Sequence, residues 1–148
     1  MNEHNINYTS IILHKMLNLL MFEGKKQKAQ GILMQALEAS KEKLGLDVCV
    51  FTILNQAVFN ASPDIEVKSK KIGTNIYQIP RSITTKKKLK LGIKNLLDAA
   101  RLRKDYSMVD KLSIELVEAY NFRGLAVKKK EEMHKIAEAN KSFSHFNW

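Results

Sequence analysis

Apolar residues recur at helical spacing along most of this chain, and one stretch breaks the pattern. Ile12, Met16, Leu19 and Leu20 fall at i, i+4, i+7 and i+8, the buried face of a first helix that starts at Thr9 or Ser10 and stops at Gly24. Ala29, Ile32, Leu33, Ala36 and Leu37 repeat the pattern in a second helix ending near Gly45. A third, capped by Asp47, carries Val50, Ile53, Leu54, Ala57 and Val58 on one face, and Ser62-Pro63 closes it because the residue before proline avoids the α region. From Asp64 the period changes to two. Ile65, Val67 and Ser69 alternate with Glu66, Lys68 and Lys70, and Ile76-Tyr77-Gln78-Ile79 has strand propensity. The pattern predicts a hairpin from Asp64 to Ile83 with Gly73-Thr74 near its tip. Strands of eight residues at ~3.3 Å each make an arm about 25 Å long.

Helical spacing resumes at Thr85. Leu89, Ile93, Leu96, Leu97 and Ala100 form the buried face of helix four, and Lys87, Lys90, Lys94 and Arg101 line the opposite side. Helix five follows Asp105, with Ser107 and Asp110 resembling a capping box and Met108, Leu112, Leu116 and Ala119 facing inward, and Gly124 ends it. A last helix runs from Val127 to Asn140 and leaves the aromatic tail 141–148. The sum is a mainly α, six-helix single domain with a protruding β-hairpin arm, residues 64–83, between helices three and four.

Charge sharpens the picture. Between Val67 and Leu97 there are nine basic residues, Lys68, Lys70, Lys71, Arg81, Lys86, Lys87, Lys88, Lys90 and Lys94, and no acid, whereas the whole chain carries only +10. Charge so unevenly placed repels itself in the folded state and suits a polyanionic partner. An isolated hairpin is marginal in water, and a basic one more so, so a partner is expected to order the tip. A basic ribbon joined to a basic helix fits nucleic acid.

The other chemistry is sparse. The 148 residues make one ordinary domain, and the 45% hydrophobic fraction is that of a globular chain. Cys49, the sole cysteine, lies in an apolar helical run and reads as a buried small hydrophobe. Ile11 to Phe22 is interrupted by His14, Lys15 and Asn18 and is too short to span a bilayer. No basic region precedes it as in a signal peptide. Asn7-Tyr-Thr and Asn60-Ala-Ser match the glycosylation pattern by chance. His4, His14, His134 and His145 lack metal-ligand spacing, and no catalytic constellation or cofactor motif is present. Gly24-Lys25-Lys26 lacks both the upstream glycine and the following Ser/Thr of a phosphate loop. Acids lie mostly on helix surfaces as partners for lysines, such as Glu131 with Lys135. Lys128-Lys129-Lys130, in the first turn of the last helix, opposes the helix dipole by roughly 0.3–1 kcal/mol per cation. It reads as a solvated end or a second phosphate contact. Tyr77 reads equally as a base-stacking residue and as an aromatic packed across the hairpin.

Several segments carry a resemblance. Ile65-Glu-Val-Lys-Ser-Lys-Lys-Ile-Gly73, Tyr77-Gln-Ile-Pro80, Asp98-Ala-Ala-Arg101 and the block from Gly124 to Trp148 resemble the universal small-subunit ribosomal protein seven, as does Met21-Phe-Glu-Gly-Lys-Lys26. The resemblance implies an α-helical domain with a hairpin arm and binding to the 3′ major domain of small-subunit rRNA, where it nucleates head assembly. It also implies a place near the exit-site tRNA and the mRNA path, with small-subunit proteins nine and eleven as neighbours. It implies a structural protein, not an enzyme, without cofactor, metal or membrane partner, and not a homo-oligomer.

On that reading the RNA-contacting residues are Lys25 and Lys26 after the first helix; Lys68, Lys70, Lys71, Tyr77 and Arg81 on the arm; and Lys86, Lys87, Lys90 and Lys94 on helix four. Lys128, Lys129 and Lys130 follow on the last helix, with Lys141, His145 and Trp148 in the tail. The chain departs from the family at four places. Met1 to Ser10 lacks the basic extension usual in bacterial members, Asn95 stands where Trp is frequent, Thr74 replaces a second tip glycine, and Asn147 replaces a polar or basic residue. Lysine outnumbers arginine 21 to 4. Together these point to an organelle-encoded member, mitochondrial ahead of plastid or bacterial. The rival reading is a non-ribosomal basic nucleic-acid-binding protein or RNA chaperone, with a membrane-surface protein behind it.

Overall fold

The computed structural model describes residues 3–45, 48–104 and 107–146. Among them are six α-helices, α1 (Glu3–Leu20), α2 (Lys26–Leu44), α3 (Val50–Ala61), α4 (Thr85–Leu102), α5 (Met108–Tyr120) and α6 (Gly124–Ala139). An antiparallel hairpin, β1 (Ile65–Ile72) and β2 (Asn75–Ser82), stands between α3 and α4, and a 3-10 turn, Lys141–Phe146, follows α6.

The apolar periodicity becomes the core. Met16, Leu33, Leu37, Leu54, Ala57, Leu89, Ile93, Leu96, Leu112 and Leu116 bury into one cluster. Helix α5 sits centrally, against α2, α3, α4 and α6. Helix α3 approaches α4 so closely that a Cβ on Gly92 would lie 2.1 Å from Ser62 Oγ and 2.9 Å from the Val58 carbonyl oxygen, so only glycine fits there.

The hairpin pairs Ile65 with Ser82 and Ile72 with Asn75, leaving Gly73-Thr74 as a two-residue loop. Only the first of these two residues has positive φ, 62° at Gly73, as in a type II′ turn, so Thr74 sits without strain.

Three features differ from the sequence expectation. Helix α1 begins at Glu3 rather than at Thr9 or Ser10; Thr9 lies inside it, and its Oγ1 accepts a hydrogen bond from Asn55 Nδ2 of α3 at 2.8 Å. Cys49, not a core residue, is exposed at the N-cap of α3, while Asp47 lies outside the described residues. Gly124 opens α6 instead of closing α5, with φ of 91°. Lys128, Lys129 and Lys130 therefore sit in the second turn of α6, where opposition to its dipole is weaker. Asp105 and Trp148 also lie outside the described residues, while the Ser107 cap is present, with Oγ accepting from Asp110 N at 3.1 Å. Asn60 is buried, and its Nδ2 donates to the carbonyls of Ala119 at 2.9 Å and Tyr120 at 3.2 Å. It thereby satisfies the C-terminal end of α5, and its amide is closed to glycosylation.

The α4, α5 and α6 ends meet at a buried carboxylate. Glu115 is fully buried; its Oε2 accepts from Arg103 Nε at 2.9 Å and Nη2 at 2.6 Å, and its Oε1 accepts from Ala126 N at 2.9 Å. Glu118 is the second partner of Arg103. Burial works against the charged guanidinium, but the hydrogen bonds and charges of Glu115 and Glu118 outweigh it and hold Arg103 above its ordinary value. The start of α6 fits only because residue 124 is glycine: a Cβ would come 2.8 Å from Glu115 Oε1. Arg103→Leu leaves that carboxylate charged and unpaired and is expected to cost about 3–5 kcal/mol in urea unfolding, with the double replacement of Arg103 and Glu115 by leucine costing far less. Equal losses in both variants would show that the pair is not the source of the stability.

Candidate nucleic-acid interface

The arm is anchored at its foot by groups from three elements. The Asp64 carbonyl accepts from Ile83 N at 3.1 Å and closes the last rung. Asp64 N donates to His134 Nε2 of α6 at 3.0 Å, which places the ring proton of a neutral His134 on Nδ1. The Asp64 carboxylate takes the ammonium of Lys88 from the first turn of α4. That hydrogen bond is the largest influence on Asp64 and, with the Lys88 charge, holds its carboxyl below the ordinary value despite partial desolvation. Lys88 also lies 5.4 Å from the centroid of the Phe59 ring. Glu66 pairs with Lys87 and, at 3.7 Å, with Lys68. Lys130 donates to the Asn60 carbonyl at 3.1 Å.

The far side of the arm rests on the chain's end. Tyr77 meets Phe143 of the 3-10 turn with ring centroids 5.2 Å apart and planes inclined by 59°. Its cross-strand neighbour is Lys70. Tyr77 thus packs against the C-terminal turn.

These contacts sort the predicted residues. The acid-free window is acid-free only in sequence: Asp64 and Glu66, just before it, neutralise Lys88, Lys87 and Lys68. Lys129 of α6 lies 3.6 Å from Asp98 of α4, which also faces Arg101 at 3.8 Å. Arg101, expected in the basic stripe, donates to the Leu19 carbonyl at 3.0 Å and caps the end of α1. Lys130 is half-buried and committed to the scaffold. Lys25 pairs with Glu23 at 2.7 Å. Because Leu19 meets Arg101, Lys25 and Lys26 lie towards the far end of α4 from the arm. Glu131 and Lys135, expected as a pair, form no ion pair.

What remains is a stripe. Lys71 near the tip and Lys86, Lys90 and Lys94, one turn apart on α4, are exposed and have no carboxylate partner among the described residues. Lys128 on α6 is likewise exposed, Lys141 and His145 are exposed on the C-terminal turn, and Lys70, Tyr77 and Arg81 are half-buried on the arm. Helix α6 packs against both α4 and β1, so Lys128 lies on an element adjoining both α4 and the arm. Among the described residues, no three His, Cys, Asp or Glu side chains are placed to hold a metal, and no helix is long and apolar enough to cross a membrane. Sequence reasoning missed Asp64, His134 and Phe143 as the arm's supports. Asp64 and His134 are 70 residues apart, and no local pattern announces the pair.

Fold and surface together define a small helical protein with a two-stranded arm and a lysine stripe that its own acids leave uncompensated. Residues 1–141 match the family model of ribosomal protein S7p/S5e. The chain is 42% identical over 141 residues to the small ribosomal subunit protein uS7 of Pelagibacter ubique (strain HTCC1062), covering 95% of this chain and 89% of that protein. It is 40% identical over the same shares to uS7 of Brachyspira hyodysenteriae (strain ATCC 49526 / WA1) and 42% identical over 142 residues, again 95% and 89%, to that of Mycoplasmopsis synoviae (strain 53). The chain belongs to the S7p/S5e family of small-subunit ribosomal proteins.

The lowered Asp64 carboxyl has a pH consequence. Its contribution to the arm's foot is complete above the unfolded value, about pH 4, and is lost as pH falls through the lower folded value. Lys88→Gln removes the principal cause, so the Asp64 carboxyl should titrate at higher pH by carbon-detected NMR. An unchanged titration would show that Lys88 does not set it.

Proposed function

We propose that this protein is a structural RNA binder of the small ribosomal subunit and not an enzyme. It engages the 3′ major domain of small-subunit rRNA, nucleates assembly of the subunit head and lies near the exit-site tRNA and the mRNA path. Proteins nine and eleven are its neighbours in this reading. The observation that carries it is the stripe Lys71, Lys86, Lys90 and Lys94, left without acids in a chain of this family. Phosphates complete those ammonium groups and release counterions as they do so. A-form RNA hides its major-groove edges, so shape and backbone contacts dominate. The arm, residues 64–83, is the projecting part of a single domain with 141–148 as its tail, and Phe143 in that tail braces the arm. The excess of lysine over arginine, 21 to 4, supports a mitochondrial ribosome as its place. It also exchanges bidentate phosphate grips for point charges.

The test is salt-titrated binding to the 3′ major-domain fragment against an unrelated structured RNA. A preference of about a thousandfold or more is expected. Equal affinities with equal slopes would replace this reading with that of an RNA chaperone. Changing Lys71, Lys86, Lys90 and Lys94 together to Gln should lower the magnitude of the salt slope by about 3, at 0.7–0.9 per phosphate, with helical circular dichroism intact. An unaltered slope would remove the stripe from the interface.

A further inference from the structure

At the foot of the arm, a groove of about 440 Å³ runs between β2, α6 and the C-terminal turn. Arg81, His134, Lys141 and Ser144 line it. Arg81 Nε is buried there with no hydrogen-bond partner among the described residues. A buried guanidinium N–H calls for an acceptor. The cross-strand partner of Arg81 is Glu66, which would ordinarily supply one, but the Glu66 carboxylate is taken by Lys87 and Lys68. Glu138, the one carboxylate lining the groove, forms no ion pair with Arg81 or Lys141. His134 uses Nε2 to accept from Asp64, so in its neutral form it carries its proton on Nδ1. The groove therefore sets two cations and a buried, unmatched Arg81 N–H against one carboxylate.

We infer that this groove seats a phosphate oxyanion, with Arg81 as its principal donor and Lys141 as the second charge. Arginine's planar fork suits a phosphate's paired oxygens. The phosphate comes from the RNA backbone or from solution, and two experimental arms separate these sources. The inference rests on the RNA-binding reading only in the first.

In the first arm, Arg81→Gln is compared with the unaltered chain for binding to the 3′ major-domain fragment across salt. A backbone phosphate predicts affinity about tenfold weaker, as for one lost charge-assisted hydrogen bond, and a slope smaller by about 0.7–0.9. In the second, the Arg81 Nε–H proton resonance, assigned from its loss in Arg81→Gln, is followed as inorganic phosphate is added to the full chain. A saturable downfield shift establishes the seat independently of any RNA and of the variant's stability. A phosphate response with unchanged RNA affinity assigns the seat to free phosphate. No response in either arm overturns the inference. Loss of the unaltered chain's preference for the ribosomal fragment would sink the ribosomal reading alone and leave the phosphate arm standing.

Discussion

The fully buried Glu115 carboxylate fixes the geometry on which the rest depends. It joins the end of α4, through Arg103, to the start of α6, through the backbone N–H of Ala126. A carboxylate removed from water is tolerated only with its charge paired and its oxygens hydrogen-bonded, and both oxygens are engaged here. The arrangement admits one entry path for the chain at Gly124. Helix α6 is thereby set at the angle that lays His134 against the hairpin's foot and carries the C-terminal turn to Tyr77. A charge at the far end of α4 thus governs the posture of an arm at its near end.

The same economy of acids shapes the surface. Asp64, Glu66 and Asp98 lie at the seams between arm, α4 and α6: Asp64 meets Lys88 of α4, Glu66 meets Lys68 of β1 and Lys87 of α4, and Asp98 meets Arg101 of α4 and Lys129 of α6. Basic residues at the seams hold the protein together. Those one helical turn outward have no such duty. This division separates Lys87, Lys88 and Lys130 from Lys86, Lys90 and Lys94, although the two groups alternate in sequence and look equivalent there.

Sequence pattern and structure agree where the determining physics is local. Helix periods, the hairpin's span and its two-residue loop, the Ser107 cap and the buried face of α4 each depend on residues a few positions apart. Disagreement falls where a partner is distant. Tyr77 could not be assigned to Phe143, nor His134 to Asp64, nor Arg101 to the Leu19 carbonyl, because nothing local marks those pairs. Gly124 misled for a different reason: glycine commonly ends helices, but here it opens one because the Glu115 side chain occupies the space its Cβ would need. The stripe was legible as charge, yet which of its members remain uncompensated was visible only in three dimensions.

The order of the chain gives the arm a timetable. Its strands, 65–82, leave the synthesising ribosome well before the residues that brace them, His134 on α6 and Phe143 beyond it. At about 5–20 residues per second, the hairpin waits several seconds for its supports. A two-stranded ribbon alone is marginal, so the nascent protein carries an unbraced arm until His134 and Phe143 have emerged. The arm is thus finished by residues made well after its own strands, and a ribosome that stalls between the hairpin and these supports holds a chain whose arm is not yet set.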